Sequence, residues 1–189
     1  MILGLQNGTV KLVDHDPAWE TEAADVIKRL WAIFGAVAKD IQHIGSTAIR
    51  HIKAKPVVDL IVAVDNFEDA LAITPELEAS EFLFRGWEGK EEKNPRFQRE
   101  VDDALTHFIH IIKTDSQNWH NYINFRDYMN AHPVVAREYE ALKLRLEEEV
   151  KISGDYLIYH PGKQQLMAEM IHAANQWDVQ GRINSYVRL

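Results

Sequence analysis

The chain has 189 residues, a size typical of one domain, or of one domain with an appended helical part. Hydrophobic residues make up 46% of it, so it can bury a core, and the absence of cysteine excludes disulfide and thiolate chemistry. The net charge of −8 argues against general binding to a nucleic-acid backbone, which requires clustered Lys and Arg. No apolar run approaches the ~18 residues of a membrane span and no signal peptide is recognised, so we expect a cytoplasmic protein that does not bind membranes.

The first third of the chain combines a helical pattern with strand-like runs. Apolar side chains recur at helical spacing over residues 18–38, and Asp16 is the expected N-cap of that helix. Two strands are predicted next, over residues 41–44 and 57–64. The second is continuous and β-branched, which is typical of a strand buried on both faces of a sheet.

Beyond residue 64 the pattern indicates a short helix and three more strands. Asn66 is expected to cap the helix, which the region of Pro75 interrupts. Side chains alternate along a strand, so His107 and His110 of the last strand should lie on opposite faces of the sheet. The predicted strands are residues 81–86, 96–101 and 106–112, with a charged loop over 88–95.

The remainder of the chain shows helical patterns joined by short connections, which is typical of antiparallel packing. The three glutamates at residues 147–149 are expected to form a solvated helix face. The apolar stripe of the middle helix consists of Val135, Tyr139, Leu142 and Leu146. The predicted helices are residues 116–132, 133–150 and 161–177.

Gly45 and Ser46 form a predicted tight turn ahead of Asp59, which lies inside the buried strand. The backbone N–H groups of such a turn, together with the serine hydroxyl, suit phosphate oxygens. A carboxylate on the strand can hold a Mg²⁺ ion that bridges those oxygens. Two-metal phosphoryl transfer usually needs more than one carboxylate, and the residue two positions after Asp59 is Ile61. The alternative for Asp59 is structural, with hydrogen bonds from a turn or from Lys55.

Two lysines lie in the connection between these two strands. Lys55 precedes Pro56, which should hold the entry to the strand extended. Its proximity to Asp59 makes a phosphate contact and a structural role equally good interpretations. Lys53 is better explained as a solvated loop residue.

Several short motifs follow one another along the chain: "VDHDPAWE", "HIGSTAI", "AKPVVDLIV", "HFIHII", "NFRDYMNAHPVVAREYEALKLRL" and "PGKQQLM". In this order they resemble the GrpB-like proteins, a group within the polymerase-β-type nucleotidyltransferase superfamily. The resemblance covers most of the chain. It implies an α+β, nucleotidyltransferase-like fold, a small mixed sheet with flanking helices and a C-terminal helical extension. We therefore expect one domain over residues 1–189, with a mixed α/β part over 1–114 and a helical part over 115–189.

The chain departs from the family pattern at its acidic positions. Gln42 stands where many relatives carry Glu, and Ile61 stands where many carry a second Asp. Residues 49–52 are Ile-Arg-His-Ile, where relatives often have Val-Pro-Gly-Leu. The third acidic position of active members is expected on a later strand, and the best match there offers His107 and His110. These departures weaken a standard two-metal transfer mechanism.

The candidate metal ligands are Asp59, His43 and His110, and the expected ion is Mg²⁺ or Mn²⁺. Imidazole ligands would suit Zn²⁺, Ni²⁺ or Fe²⁺ better, but His107 and His110 on opposite faces of one strand do not easily share an ion. His107 is expected to be hydrogen-bonded near Asp59, where it would serve as a general base for a hydroxyl substrate. Asp59 and His107 are therefore the candidate catalytic residues.

A further set of residues is assigned to the phosphate groups of a ligand. Arg126 either reaches the phosphate pocket from the helical part, or joins that part to the sheet through a carboxylate. Lys163, near the start of the last helix, has the same two interpretations. Arg126 and Asp127 are neighbours on a helix and should not face each other, so no ion pair between them is expected. The candidate phosphate-binding residues are Gly45, Ser46, Thr47, Lys55, Arg126 and Lys163.

The leading hypothesis is a protein that binds a nucleotide or another phosphorylated small molecule with a divalent metal, and that transfers a nucleotidyl group to an unidentified acceptor. The alternative is a catalytically inactive nucleotide-binding protein, or a regulatory or interaction protein, that retains the fold. A homodimer is a further expectation, although the tryptophans and long helices that suggest it are equally consistent with a buried core.

Overall fold

A six-stranded mixed sheet forms the centre of the molecule, and helices cover both of its faces. The computed structural model describes residues 1–89 and 93–186, with side chains described up to Trp177. The strands are β1 (Leu5–Gln6), β2 (Ala38–Ile44), β3 (Val58–Val64), β4 (Leu83–Glu88), β5 (Asn94–Val101) and β6 (Ala104–Lys113). The helices are α1 (Ala18–Phe34), α2 (Phe67–Ala72), α3 (Thr74–Ala79), α4 (Gln117–Ala131), α5 (Pro133–Ser153), α6 (Tyr159–Gly162) and α7 (Gln164–Tyr186).

The strand order is β2-β3-β6-β5-β4, and β1 adds to the start of β6. β3 and β6 run parallel, whereas the other pairs are antiparallel. In this register Asp59 lies opposite Phe108, and His110 lies opposite Arg96. Directly opposed side chains share a face, so Asp59, His110 and Arg96 all project from one face of the sheet.

The two faces of the sheet carry different layers. Trp19 and Leu30 of α1 are fully buried against one face, together with side chains of α2 and α3. The opposite face buries Ile44, Ile61 and Ile112 beneath α4. Because both faces are covered, β3 is apolar except at Asp59, as predicted, whereas the neighbouring strand β6 also buries Thr106, His107 and His110.

Asn66 caps α2 as predicted, whereas the N-cap of α1 is Pro17 and the predicted cap Asp16 lies one residue before it. Asp16 Oδ1 accepts a hydrogen bond of 2.9 Å from the backbone N–H of Ala18 at the start of α1. Asn66 Oδ1 accepts one of 3.0 Å from the N–H of Asp69 at the start of α2. The first C-terminal helix, α4, ends before Pro133, which starts α5.

Two local predictions are corrected. α1 ends at Phe34 rather than near residue 38, because Gly35 takes a positive φ of +52° and Ala38 already begins β2. Glu147 is not solvated: it is only 6% exposed, and its carboxylate accepts a hydrogen bond of 3.1 Å from the N–H of Leu12. The buried face of α5 is therefore wider than its apolar residues alone indicate.

Every described element after β6 is helical. α4, α5 and α7 share an apolar core that includes Phe125, Tyr139 and Met170. The predicted charged loop over residues 88–95 lies partly outside the described residues. Within the described part of the chain, no helix is long and apolar enough to cross a membrane.

The tryptophans divide between the core and the surface. Trp19 is fully buried, whereas Trp31, Trp87 and Trp177 are each more than a third exposed. The homodimer stays a prediction.

Candidate functional site

The turn after β2 and the start of β3 are in direct contact. Gly45 ends β2 with a φ of +72°, and residues 46–48 continue as a short 3₁₀ turn. A Cβ atom built on Gly45 would overlap Asp59 Oδ2. Only glycine combines this backbone angle with so close an approach, and the turn therefore lies directly against the Asp59 carboxylate.

A cavity of about 400 Å³ opens beside this turn, between the sheet and the helical part. Ser46 and Asp59 form part of its wall, and Phe108 and Arg96 come from the neighbouring strands β6 and β5. The N-terminal residues 5–9 close one side. The helical part supplies Lys143, Tyr156, Tyr159, His160 and Lys163.

The cavity brings four cationic side chains together. Lys55, Lys143, Lys163 and Arg96 all line it, whereas Asp59 is the one carboxylate among its lining residues in the described chain. Two of these lysines share an aromatic neighbour. Lys55 Nζ lies 4.2 Å from the ring centre of Tyr159, and Lys163 Nζ lies 5.1 Å from the same ring.

Burial and repulsion between charges lower the pKa values of Lys55 and Lys143. Burial, followed by the charge of Lys163, lowers the pKa of Lys143 to about 7 and that of Lys55 to about 8. The same two influences, with Lys55 added, lower the pKa of His160 to about 4. An anion placed between these groups would relieve the repulsion, so the cavity is electrostatically suited to a negatively charged ligand.

Next to the cavity, His110 lies between two carboxylates. Its Nε2 atom is 3.7 Å from Asp59 Oδ1, and its Nδ1 atom contacts Glu88 Oε1. Burial alone would lower the pKa of His110, but the contacts with Asp59 and Glu88 outweigh it and raise the pKa to about 9. Arg96 Nη1 lies 3.4 Å from the other oxygen of Glu88, and Tyr122 stacks on the imidazole at 5.9 Å. His110 is therefore the centre of an ion-pair network.

His43 and Thr47 do not line the cavity. Thr47 is buried, and its Oγ1 atom lies 2.9 Å from His43 Nε2. Burial lowers the pKa of His43 to about 4. Both residues therefore support the turn from inside the protein and do not form part of the cavity wall.

The geometry also corrects the expected position of His107. This side chain projects from the opposite face of the sheet, because it lies one residue from Phe108, which is opposite Asp59. Its Nδ1 atom is 2.9 Å from Thr106 Oγ1, and its Nε2 atom is 3.2 Å from Glu22 Oε1 of α1. The histidine near Asp59 is thus His110.

Arg126 connects α4 to β2. Its Nη1 atom donates hydrogen bonds of 3.0 Å to Gln42 Oε1 and to the carbonyl oxygen of His43. Its Nε atom lies 2.8 Å from Asp127 Oδ1, so the expectation that these neighbours would not pair is wrong. The long arginine side chain bends back far enough to reach an adjacent carboxylate. The link to the sheet uses an amide and a carbonyl, not the carboxylate that was expected.

The residues around Asp59 do not fit the divalent metal that the family resemblance implies. Asp59 is the one carboxylate of the expected set, Ile61 is fully buried in apolar surroundings, and both ring nitrogens of His110 face carboxylates. In the described chain, no group of three or more His, Asp or Glu side chains has the arrangement of a metal site. Mg²⁺ or Mn²⁺ stays a prediction that this donor set does not favour.

Sequence reasoning identified four residues of the cavity wall and missed several others. Ser46, Asp59, Lys55 and Lys163 were candidates, and the structure brings them together. Lys143 had a usable signal, because it lies on the same helical stripe as the apolar residues of α5. The missed residues are Arg96, Lys143, His160 and, in the adjoining network, Glu88.

Comparison with known proteins gives a consistent family signal. Residues 9–173 match the family model described as GrpB protein. The glutamate-rich protein GrpB of Alkalihalophilus pseudofirmus is 35% identical over 174 residues, which cover 90% of this chain and 99% of that protein.

One solved structure agrees with the fold described above. The crystal structure of the conserved protein GrpB from Enterococcus faecalis superposes with a TM-score of 0.75 at 23% identity, covering 88% of this chain and 98% of that one. The MgGTP-bound Cid1 poly(U) polymerase aligns with a TM-score of 0.47 at 14% identity, over 69% of this chain and 45% of that one. The match to the Enterococcus protein confirms the predicted α+β fold class.

Proposed function

The chain belongs to the GrpB family, and from this premise we propose that it binds a nucleotide or another phosphorylated small molecule in the cavity beside Asp59. The observation that carries the proposal is the convergence of Lys55, Lys143, Lys163 and Arg96 on one enclosed space. A phosphate group offers several acceptor oxygens and at least one full negative charge, which is the complement of such a cluster.

The turn at Gly45 adds to this complementarity. Ser46 lines the same cavity, so a hydroxyl donor stands beside the lysine side chains. The 3₁₀ turn that Ser46 begins is short, and backbone N–H groups at such a turn are additional donors for an anion. The protein thus combines fixed charge with hydrogen-bond donors on two sides of one cavity.

Nucleotidyl transfer is the second candidate function. It is favoured by Ser46 and Asp59 sharing one wall, the arrangement that the motif resemblance implies for this reaction. It is disfavoured by Ile61, which leaves Asp59 without a carboxylate partner on β3. Transfer predicts a metal-dependent activity that Asp59→Asn abolishes, whereas a binding or regulatory protein predicts ligand affinity that survives this substitution.

The proposal is tested by a thermal-shift screen with ATP, GTP, CTP and UTP, and with inorganic tripolyphosphate, each with and without Mg²⁺ or Mn²⁺. A ligand at about 100 times its Kd stabilises the folded state by ~2.7 kcal/mol. For a domain of this size that is a rise in Tm of roughly 5–11 °C.

Matched lysine variants assign any shift to the cavity. Lys55→Met and Lys163→Met should each reduce the shift, because both side chains line the cavity. Lys53→Met should retain it, because Lys53 is two residues from Lys55 but its Nζ atom pairs with Asp14 outside the cavity. The absence of a shift with every probe, or an equal loss in Lys53→Met, would reject the proposal.

A further inference from the structure

Resting on this proposed function, we propose that the cavity binds its phosphorylated ligand without a divalent cation, with lysine and arginine side chains in the role that a metal has elsewhere. The carboxylate of Asp59 has a close protein neighbour at each of its two oxygens. Oδ1 lies 3.7 Å from His110 Nε2, and Oδ2 lies directly beneath Gly45. A metal ion at this carboxylate would compete with His110 for Oδ1 and with the Gly45 turn for the space beside Oδ2.

His110 can offer a metal ion at most one ring nitrogen, because the other contacts Glu88. Its two ring nitrogens face Asp59 and Glu88, and each carboxylate oxygen can only accept a hydrogen bond. Nδ1, in contact with Glu88, therefore acts as a donor, whereas Nε2 lies 3.7 Å from Asp59 Oδ1, which is longer than a hydrogen bond. A metal ion held by Nε2 would have to enter between His110 and Asp59, where the side chain of His110 is only 11% exposed.

The position on β3 that would supply a second carboxylate is occupied by a buried apolar residue. Ile61 is fully buried and packs with Ile44 and Ile112 beneath α4. Glu88 is the other acidic side chain of this network, and Arg96 pairs with it at 3.4 Å. Asp59 and Glu88 are thus each paired with a basic side chain of the protein itself.

The charge of the cavity also disfavours a divalent cation. Four basic side chains and one carboxylate line the cavity, so a divalent cation entering it alone is repelled and a multiply charged anion is attracted. The class of ligand that follows is a phosphate ester or polyphosphate in its metal-free form. Mg²⁺ bound to the ligand would remove charge that the lysines attract.

Isothermal titration calorimetry of the wild-type protein with ATP and with tripolyphosphate distinguishes metal-free binding from metal-dependent binding. We expect affinity in EDTA to be equal to that in Mg²⁺ or up to about tenfold higher, because Mg²⁺ neutralises part of the ligand's charge. Binding that is lost in EDTA and restored by Mg²⁺ would overturn this inference and leave the proposed function standing. No binding in either buffer would reject the proposed function, and this inference with it.

Electron paramagnetic resonance of Mn²⁺ gives a second readout that does not need the ligand. Wild-type protein should leave the signal of free Mn²⁺ unchanged, whereas His110→Asp should bind Mn²⁺, because it adds a carboxylate beside Asp59 and Glu88. One equivalent of Mn²⁺ bound by the wild type, and lost in Asp59→Asn, would contradict the inference. The wild-type measurement stands by itself if His110→Asp does not fold.

Discussion

The imidazole Nε2 of His110 lies 3.7 Å from Asp59 Oδ1, across the two parallel strands at the centre of the sheet. The carboxylate that the sequence marks as a metal ligand is therefore already paired with a cationic partner of the protein. This pairing separates a phosphate-binding role of the cavity from metal-dependent chemistry, and it makes Asp59 the most informative residue to change.

Asp59→Asn should leave phosphate binding intact or tighten it. The substitution removes the one negative charge among the cavity's lining residues in the described chain, and with it the repulsion of an incoming phosphate. Isothermal titration with ATP in EDTA measures the effect, which we expect to be up to about tenfold in favour of the variant. A large loss of affinity in a correctly folded variant would show that Asp59 contributes directly to binding.

Affinity for a polyphosphate should fall as the pH rises above 7. Lys143 and Lys55 have pKa values of about 7 and 8 in the free protein, so they progressively lose their charge over this range. A bound anion favours their charged forms, and binding above these values is therefore accompanied by proton uptake. The ligand's own phosphate ionisation, with a pKa of about 6, is largely complete by then.

The proton uptake is measured by titration in buffers of different ionisation enthalpy. The groups that face Lys143 are Lys163, Glu140, Tyr139 and the carbonyl oxygen of Lys53, and of these Lys163 most strongly lowers its pKa. Lys143→Met should remove part of the pH dependence, whereas Lys53→Met should not change it. An affinity that is constant between pH 7 and pH 9 would be inconsistent with the lysines as the ligand's partners.

Gly45→Ala should destabilise the fold more than Gly35→Ala. Both glycines combine a positive φ, +72° and +52°, with a strongly negative ψ that other residues rarely adopt, so both substitutions carry a backbone penalty of about 1–3 kcal/mol. A Cβ atom at Gly45 would also overlap the Asp59 carboxylate, whereas one at Gly35 meets no atom within 4 Å. Urea unfolding measures the free energy of unfolding of both variants, and the difference between them reports the overlap at Gly45. An equal decrease in both variants would refute the close contact between the turn and Asp59.

Arg126→Met should lower stability but not ligand affinity. Its guanidinium donates two hydrogen bonds of 3.0 Å to β2 and is absent from the cavity wall, so we expect a loss of about 1–3 kcal/mol in the free energy of unfolding. Arg145→Met is the matched control, because Arg145 is largely exposed and pairs only weakly with Glu149 at 3.8 Å. Weakened ATP binding in folded Arg126→Met would instead support the phosphate-contact interpretation of this residue.

Much of the fold could be predicted because its signals are local. The continuous β-branched run that became β3, the Asn66 cap of α2 and the break before Pro133 each depend on a few neighbouring residues. The opposite orientation of His107 and His110 also followed from alternation along one strand. Which of the two lies beside Asp59 did not, because that depends on the register between β3 and β6.

The cavity residues that were missed are buried by contacts with distant parts of the chain, which local sequence patterns do not predict. Lys143 and Glu147 are buried although both are charged, since α5 packs against residues from the first third of the chain. Their spacing from Tyr139 places them on the buried stripe, but only the packed partners reveal that this stripe is polar at two positions. Glu88 reaches His110 across two strand pairings that no periodicity encodes.

The sequence by itself determined most of the secondary structure, the turn at Gly45 and the presence of one lone acidic residue on β3, because backbone propensity and side-chain alternation act over a few residues. Only the tertiary structure decided that four cations meet at one cavity and that His110 pairs with Asp59. Those contacts join residues far apart in the chain, and their energies depend on burial and strand register, which arise only when the sheet and the helical part pack together.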